Sequence, residues 1–483
     1  MAEVKLMPWR PSVSAVDNGY CAEASGVLPR LDGFQPWPGP VQATVALASQ
    51  ACGAATLFDD ASAPVTYGAT ATKLYRATGG TPPATWNDVS GGVYACDPAQ
   101  RWQFASFGLN AIAVNIADNP QTALLSGGNF AALAGTPPKA KFIRTTDYFV
   151  ILANLSTNAR TVQWSGLNSS SQWTPGVNSS DVQEFGDGGA ITGLGGASTT
   201  IVFQENAIRR MVFSPGDPKI FQIDRIAADR GCIAPYGVIN IGDTSFFPSR
   251  DGFWMVEGTQ ISPIGSGKID QWFFDNAPAN NLAYIEGAVD PLKHRAYWTF
   301  YDGSATIFAN QMLCYDWVLQ EWSHAPINSR GLLSFVNPSY TLEDLNAFGT
   351  LDALPYSLDS SYWIGKLRNP GYIGTDNAIY TMSGASLNAL IETADFQPIA
   401  GGRAFVNGAT LDTDASAATL QVGVRERLPN AINWGAEVAM ETTGACGAFT
   451  EGRYARARVH IPAGNSWTNA TGLTPDVAKA GDL

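Results

Sequence analysis

The stretch GDTSFFPSRDGFWMVEG, residues 242–258, holds the decision about this fold. Two apolar runs flank the pair Asp251-Gly252, and a Gly that accepts φ > 0 at no steric cost makes this a strong hairpin signal. Three more stretches have the same form: WQFASFGLNAIAVNI (102–116), AKFIRTTDYFVILANL (140–155) and STTIVFQENAIRRMVF (198–213). From about residue 41 to about 345, runs of four to seven apolar or β-branched residues alternate with Gly, Asp, Asn and Ser turns. That is the look of short antiparallel strands, and no amphipathic helix is expected among them.

A looser unit recurs in the same region: an apolar strand ending in an aromatic residue, a polar turn, then a Trp. It is visible in KLYRATGGTPPATWND with Tyr75 and Trp86, VQWSGLNSSSQWT with Trp164 and Trp173, and LCYDWVLQEWS with Tyr315 and Trp322. The spacings are 89 residues from Tyr75 to Trp164 and 151 from Trp164 to Tyr315. They approximate two and three units of the roughly 40–50 residues that a four-stranded propeller blade occupies. Small sheets that cannot each bury two faces do so when packed in a ring. The expectation is an all-β chain with a β-propeller of six or seven blades and a β-sandwich-like module after it; a pair of β-sandwiches is the alternative.

Composition agrees. The chain has 483 residues, beyond the size at which one core keeps growing. It has 49 Gly, 29 Pro and 14 Trp with only 15% charged residues, the profile of turn-rich strand proteins. The expected organisation is an N-terminal arm over residues 1–40, the propeller over 41–345, a last blade or tip excursion over 346–385, and a C-terminal β module over 386–483. In that module TLQVGVRER (419–427) and YARARVHI (454–461) alternate with period two. Leu420, Val422, Val424, Ala455, Ala457, Val459 and Ile461 are expected inward. The last residues, GLTPDVAKAGDL (472–483), read as a frayed tail.

The chemistry-bearing residues point away from catalysis. Cys21, Cys52, Cys96, Cys232, Cys314 and Cys446 are far apart and form no CxxC pair, so they read as reduced, mostly buried thiols. His294, His324 and His460 make no metal-ligand pattern, and GxSxG, GxxxxGK[ST] and GxGxxG elements are missing. No enzymatic activity, cofactor or metal is expected. The first residues contain no apolar core of a signal peptide and no window approaches a membrane span, so a soluble chain without a signal peptide or membrane span is expected. A net charge of −13 argues against a phosphate-gripping nucleic-acid binder.

Two features invite a functional reading. Ser249-Arg250-Asp251-Gly252-Phe253-Trp254 looks like a shortened Asp-box turn of sialidase propellers, with one spacer missing. The outward Arg425, Arg427, Arg456 and Arg458 form a basic stripe in an acidic protein. It reads either as a solvated sheet face or as a contact with an acidic surface on an adjacent subunit, since Arg forks pair with carboxylates. Trp434 and Trp467 flank the stripe as candidate interface anchors or as core.

Read in order, TTIVFQENAIRRMVF (199–213), FQIDRIAADRGCIAPYGVINIGDTSFFPSRDGFWMVEG (221–258) and SPIGSGKIDQWFF (262–274) resemble tail proteins of short-tailed bacteriophages. The shared pattern is a "vif-E-aI-rm" strand pair, a "Gc-ap-sv" turn, an "FF-s-DGf" hairpin and an "iG-gki" segment. LPRLDGFQPWPGP (28–40), WQFASFGLNAIAVN (102–115), GAVDPLKHRAYWTF (287–300) and LCYDWVLQEWS (313–323) look like the same family. The similarity spans residues 26 to about 467. It implies a propeller-based virion protein of the tail nozzle or DNA-stabilisation type, assembled in the host cytoplasm and resident in the virion tail. It further implies a ring, typically a hexamer, below the portal and adaptor. Tail fibres or spikes would be neighbours, and packaged double-stranded DNA would pass through the channel, be retained there and be released at ejection. A carbohydrate-binding propeller contacting the host surface and a sialidase-like glycosidase are the alternatives. The adhesin would expose a Trp/Asp cluster on one propeller face; the glycosidase needs two carboxylates facing across a pocket.

Overall fold

The computed structural model describes residues 3–13, 19–79, 83–217, 219–304, 308–336, 349–350 and 368–480. Its centre is a seven-bladed β-propeller of four-stranded antiparallel blades. Blade 1 comprises Ala51–Phe58, Pro64–Thr70, Leu74–Thr78 and Thr85–Asp88, and blade 2 comprises Gln103–Phe107, Asn110–Val114, Gln121–Leu124 and Gly127–Ala132. Blade 3 is Ala140–Thr145, Val150–Leu155, Asn158–Trp164 and Asp181–Glu184, and blade 4 is Ile191–Gly195, Thr200–Gln204, Ile208–Phe213 and Phe221–Ala227. Blade 5 is Ile239–Ile241, Thr244–Ser249, Gly252–Glu257 and Gln260–Pro263, and blade 6 is Glu286–Asp290, Arg295–Phe300, Ala309–Asp316 and Glu321–Ser329.

Blade 7 takes Gly331–Val336, Arg368–Ile373 and Ile379–Ser386 from late in the chain, and its outer strand, Pro38–Gln42, from the beginning. Thr381 stands opposite Val41 and Met382 opposite Pro40, so this pairing closes the ring. The propeller therefore reaches Ser386 rather than residue 345. Of the 346–385 stretch, residues 346–348 and 351–367 lie outside the described residues, and residues 368–385 belong to blade 7.

The aromatic spacing has a direct structural meaning. Tyr75, Trp164 and Tyr315 all stand in the third strand of their blades, and those blades are 1, 3 and 6. Steps of two and three blades are what spacings of 89 and 151 residues imply. The hairpin of blade 5 is also present, displaced by one residue from the expected turn. Ser249 pairs with Gly252, so Arg250 and Asp251 form the loop and Gly252 opens the next strand at φ +141°. A Cβ at Gly252 would lie 2.2 Å from Oδ2 of Asp270, so Gly is required there on two counts. Asp270 begins a short helix, Asp270–Asn276, which the sequence reading did not anticipate. Seven residues with one buried side chain, Phe273, carry too little helical periodicity to be seen.

After blade 7 the chain builds a two-sheet sandwich. One sheet orders Ala445–Gly452, Arg403–Thr413 and Ala470–Ala480, with Gly33–Pro36 and Val27–Arg30 continuing it. The other orders Ala389–Glu392, Tyr454–Ile461 and Thr419–Arg425. Leu420, Val422, Val424, Ala455, Ala457, Val459 and Ile461 are all buried between the sheets, as their alternation requires. The expected frayed tail is corrected here. Residues up to Ala480 form an eleven-residue strand paired with Arg403–Thr413 along its whole length. Gly472, Pro475 and Asp476 blur its alternation, and its partner lies about sixty residues back, so nothing local announces it.

The N-terminal arm joins the two units. Val4–Lys5 pairs with Gly472 and Leu473 of the sandwich, while Trp9 pairs with Trp322 on the outer strand of blade 6. Glu23–Ser25 then lies between Glu321–Ser329 of blade 6 and Ala389–Glu392 of the sandwich. Blade 6 and one sandwich sheet thereby become a single twelve-stranded sheet. Trp9, Trp298 and Trp322 are fully buried at this junction, and His324 meets Glu23 there. Burial of each such indole contributes on the order of 3 kcal/mol or more, judged from large-to-small substitutions in cores.

Candidate functional site

The arginine stripe is folded into the chain's own charge network. Glu392 ends the strand Ala389–Glu392, Asp395 follows it, and both lie over the outward face of Tyr454–Ile461. Arg456 donates Nη2 to Asp395 Oδ2 at 2.8 Å and Nη1 to Glu392 Oε1 at 2.8 Å. Arg458 donates Nε and Nη2 to Glu392 Oε2 at 3.1 and 2.8 Å, and Arg425 pairs with Asp395. The Asp395 side chain is only 2% exposed. Burial lowers the Arg456 pKa, and its hydrogen bonds to Asp395 and Glu392, with the charges of those carboxylates, more than offset it, leaving it raised. The acidic surface that these three arginines meet is thus in the same chain.

The other sequence candidates separate. Trp434 lies under the Arg458 guanidinium, 4.0 Å from ring centroid to Cζ, a cation–π contact. Trp467 is buried in the sandwich core. Arg427 is the exposed member of the group. Asp251 is held in place by Arg230, whose Nη2 reaches its Oδ2 at 2.7 Å, and by Trp254 Nε1 at 3.0 Å on Oδ1. Arg230 also stacks on the Trp254 ring at 3.6 Å. The shortened Asp-box is therefore a turn whose carboxylate is already hydrogen-bonded on both oxygens.

The six cysteines are all buried and unbridged. Among the described residues no group of three or more His, Cys, Asp or Glu side chains is arranged to hold a metal ion, and no helix is long and apolar enough to cross a membrane.

A cavity of about 420 Å³ occupies the propeller axis, and the first strand of every blade contributes to its wall. Its titratable lining is Arg101, Arg144, Tyr236 and Glu286. Glu286 is the sole carboxylate among the described lining residues, and both its oxygens are engaged. Oε1 accepts from Arg101 Nε at 2.6 Å and Oε2 from the Leu332 N–H at 3.0 Å. Arg101 extends this tie to Arg330 O at 2.8 Å, and Tyr236 Oη accepts from its N–H at 3.2 Å. The link before blade 2 is in this way pinned to blades 6 and 7. Sequence reasoning passed over these residues because Arg101 and Glu286 are far apart in the chain and neither sits in a motif.

A different surface also escaped the sequence reading. Phe449 is 86% exposed and Phe405 46% exposed, on neighbouring strands of the outer sandwich sheet. Phe405 stands opposite Glu451 on one side and Ala478 on the other. Arg403 bridges Glu426 and Glu451 at its rim.

The chain matches no family model. It matches no curated protein sequence either. Among solved structures it is similar to the WD40 domain of Neurospora crassa Pan2, at TM-score 0.41 and 9% identity over 73% of this chain and 96% of that one. The N-terminal domain of Nup159 gives TM-score 0.41 and 8% identity over 78% and 98% of the two chains. PorZ, a surface component of the Porphyromonas gingivalis type-IX secretion system, gives 0.35 and 8% over 74% and 44%. The propeller assignment rests on the blade topology itself.

Proposed function

We propose that this chain is a non-enzymatic structural subunit of a short phage tail, of the nozzle type. Copies pack into a ring that continues the DNA channel below the portal and adaptor, retains packaged DNA and opens at ejection. The observation that carries this reading is what the resembling residues do in the fold. Phe203, Cys232, Ala234, Phe247, Phe253, Ile264 and Ile269 all come from the segments that resemble the tail proteins, and all are buried in one core cluster that runs from blades 4 and 5 through blade 6 into the sandwich. Gly231 of the "Gc-ap" turn lies so close to Gln204 O that a Cβ there would come within 1.9 Å. These motifs position backbone and core, as expected of a building block.

Further support comes from size and charge. A 420 Å³ cavity corresponds to a sphere about 9 Å across, narrower than the roughly 12 Å major groove of one duplex. Passage of DNA in this reading therefore runs between copies, not through the propeller axis. In this reading the bore is acidic, in keeping with a net charge of −13, and the genome slides without salt-dependent adhesion. The Phe405 and Phe449 face supplies apolar contact area for docking beside an identical copy. The glycosidase alternative lacks support at the axis, where Glu286 faces no second carboxylate among the described lining residues.

Electron microscopy of the purified protein, alone and with the adaptor ring, tests the proposal. Rings of copies with a central bore, sixfold as the resemblance implies, are the expected image. Monomers under both conditions, or a bore lined mainly by Lys and Arg, refute it.

A further inference from the structure

The inner strand of blade 3, Ala140–Thr145, places two cations beside the propeller axis that have no ion-pair partner among the described residues. Arg101 is neutralised by Glu286, and its remaining N–H groups go to the carbonyls of Pro98, Gln100 and Arg330. Arg144 has no carboxylate within ion-pair distance among the described residues. It donates Nη2 to Ala197 O at 2.9 Å, while its Nε is buried without a partner. Asp243, the acidic group whose charge it feels, is occupied by the Ser198 hydroxyl and the N–H groups of Ala197 and Ser198.

Lys141 lies on an adjoining pocket of about 170 Å³ lined also by Arg101, Tyr236 and Glu286. Its ammonium faces aromatic rings, 5.3 Å from the Tyr236 centroid and 5.9 Å from that of Phe142. Gln103 adds a neutral donor to the main cavity: its Oε1 accepts from the Ile143 N–H at 3.2 Å, and its amide nitrogen has no partner among the described residues. Burial depresses the pKa of both Lys141 and Arg144, with the Arg101 charge adding to the effect on Lys141.

A cation taken out of water without a partner costs several kcal/mol, and an acidic protein has carboxylates in excess with which to satisfy it. Here the sole carboxylate of the described lining, Glu286, is already taken by Arg101 and the Leu332 N–H, and the space in front of Arg144 lies within the range of small-ligand pockets, roughly 300–1,000 Å³. A guanidinium fork matches two oxygens of a carboxylate or phosphate group, and the nearby amide of Gln103 can donate to a third acceptor.

We propose that the propeller's axial cavity is a binding site for a small oxyanion, a phosphate or carboxylate group, held by Arg144 with Gln103 and attracted by Lys141. The site is independent of the tail reading, because it needs one copy of the chain and no DNA.

The experiment is calorimetric titration and thermal melting of the full chain with inorganic phosphate and with citrate, at constant ionic strength set by chloride. Saturable binding and a rising Tm with either anion are expected; the preferred one separates phosphate from carboxylate chemistry. Arg144→Gln weakens binding at least tenfold, and Gln103→Ala and Lys141→Met weaken it several-fold. Arg144→Lys, which keeps the charge and loses the fork, gives an intermediate loss and serves if Arg144→Gln fails to fold. The proposal is overturned if neither anion binds, if chloride alone reproduces the rise in Tm, or if the folded Arg144 variants respond like the parent.

Discussion

Replacing Asp395 by Ala is the most informative single perturbation of the C-terminal module. Its carboxylate holds Arg425 and, through contacts of 3.3 and 2.8 Å, both Nε and Nη2 of Arg456. The side chains of Arg425 and Arg456 are only 12% and 13% exposed. Removing the shared acid leaves two nearly buried cations with Glu392 alone between Arg456 and Arg458. Breaking a buried pair on one side costs about 3–5 kcal/mol, chiefly because the surviving charge stays desolvated. The Arg456→Met change made alone should cost a comparable amount. The double variant should cost about 2 kcal/mol less than the sum of the singles, since coupling within one network reaches 0.5–3 kcal/mol. Equilibrium denaturation of the isolated, unassembled protein measures all three. If Asp395→Ala shifts stability by less than about 1 kcal/mol, the network is not holding the sandwich together. The arginines would then be better explained as a surface awaiting a partner.

Asp270 introduces a pH dependence. Burial raises its pKa to about 6, against the opposing hydrogen bond from the Phe253 N–H, and the Asp251 charge raises it further. The folded chain then binds more protons than the unfolded one between about pH 4 and 6, so stability falls as pH rises through that window and is level above it. Asp270→Asn should leave stability unchanged near pH 4 and raise it by about 1–2 kcal/mol at pH 7.5, allowing for partial exposure; melts showing the same difference at both pH values count against this. Gly231→Ala forces backbone apart at Gln204 and is expected to cost about 1–3 kcal/mol by denaturant titration, with a neutral result excluding the close approach. Paired Phe405→Ser and Phe449→Ser changes should leave the melting temperature of the unassembled chain within a degree or two while weakening ring formation in sedimentation; unchanged assembly removes that face from the interface.

The local grammar of the blades was legible without coordinates. Each hairpin is made within about fifteen residues, so period-two burial and turn residues such as Gly252 are written side by side. The spacing of Tyr75, Trp164 and Tyr315 also tracked the blade repeat, because all three stand in the third strand of their blades. Leu420 to Ile461 announced a half-buried pair of strands for the same reason, and the outward direction of Arg456 and Arg458 followed from it.

What tertiary structure alone decided is everything joined across long intervals of chain. Pro38–Gln42 closing blade 7, Trp9 on Trp322, Ala470–Ala480 beside Arg403–Thr413 and Glu286 under Arg101 have no nearby residue to signal them. Such contacts depend on which distant surfaces meet once the loops are closed, and closing a loop costs an entropy that grows only slowly with its length. The pattern around an arginine tells that it faces outward; whether a carboxylate of the same chain is waiting there is known only after the chain has come back to meet it.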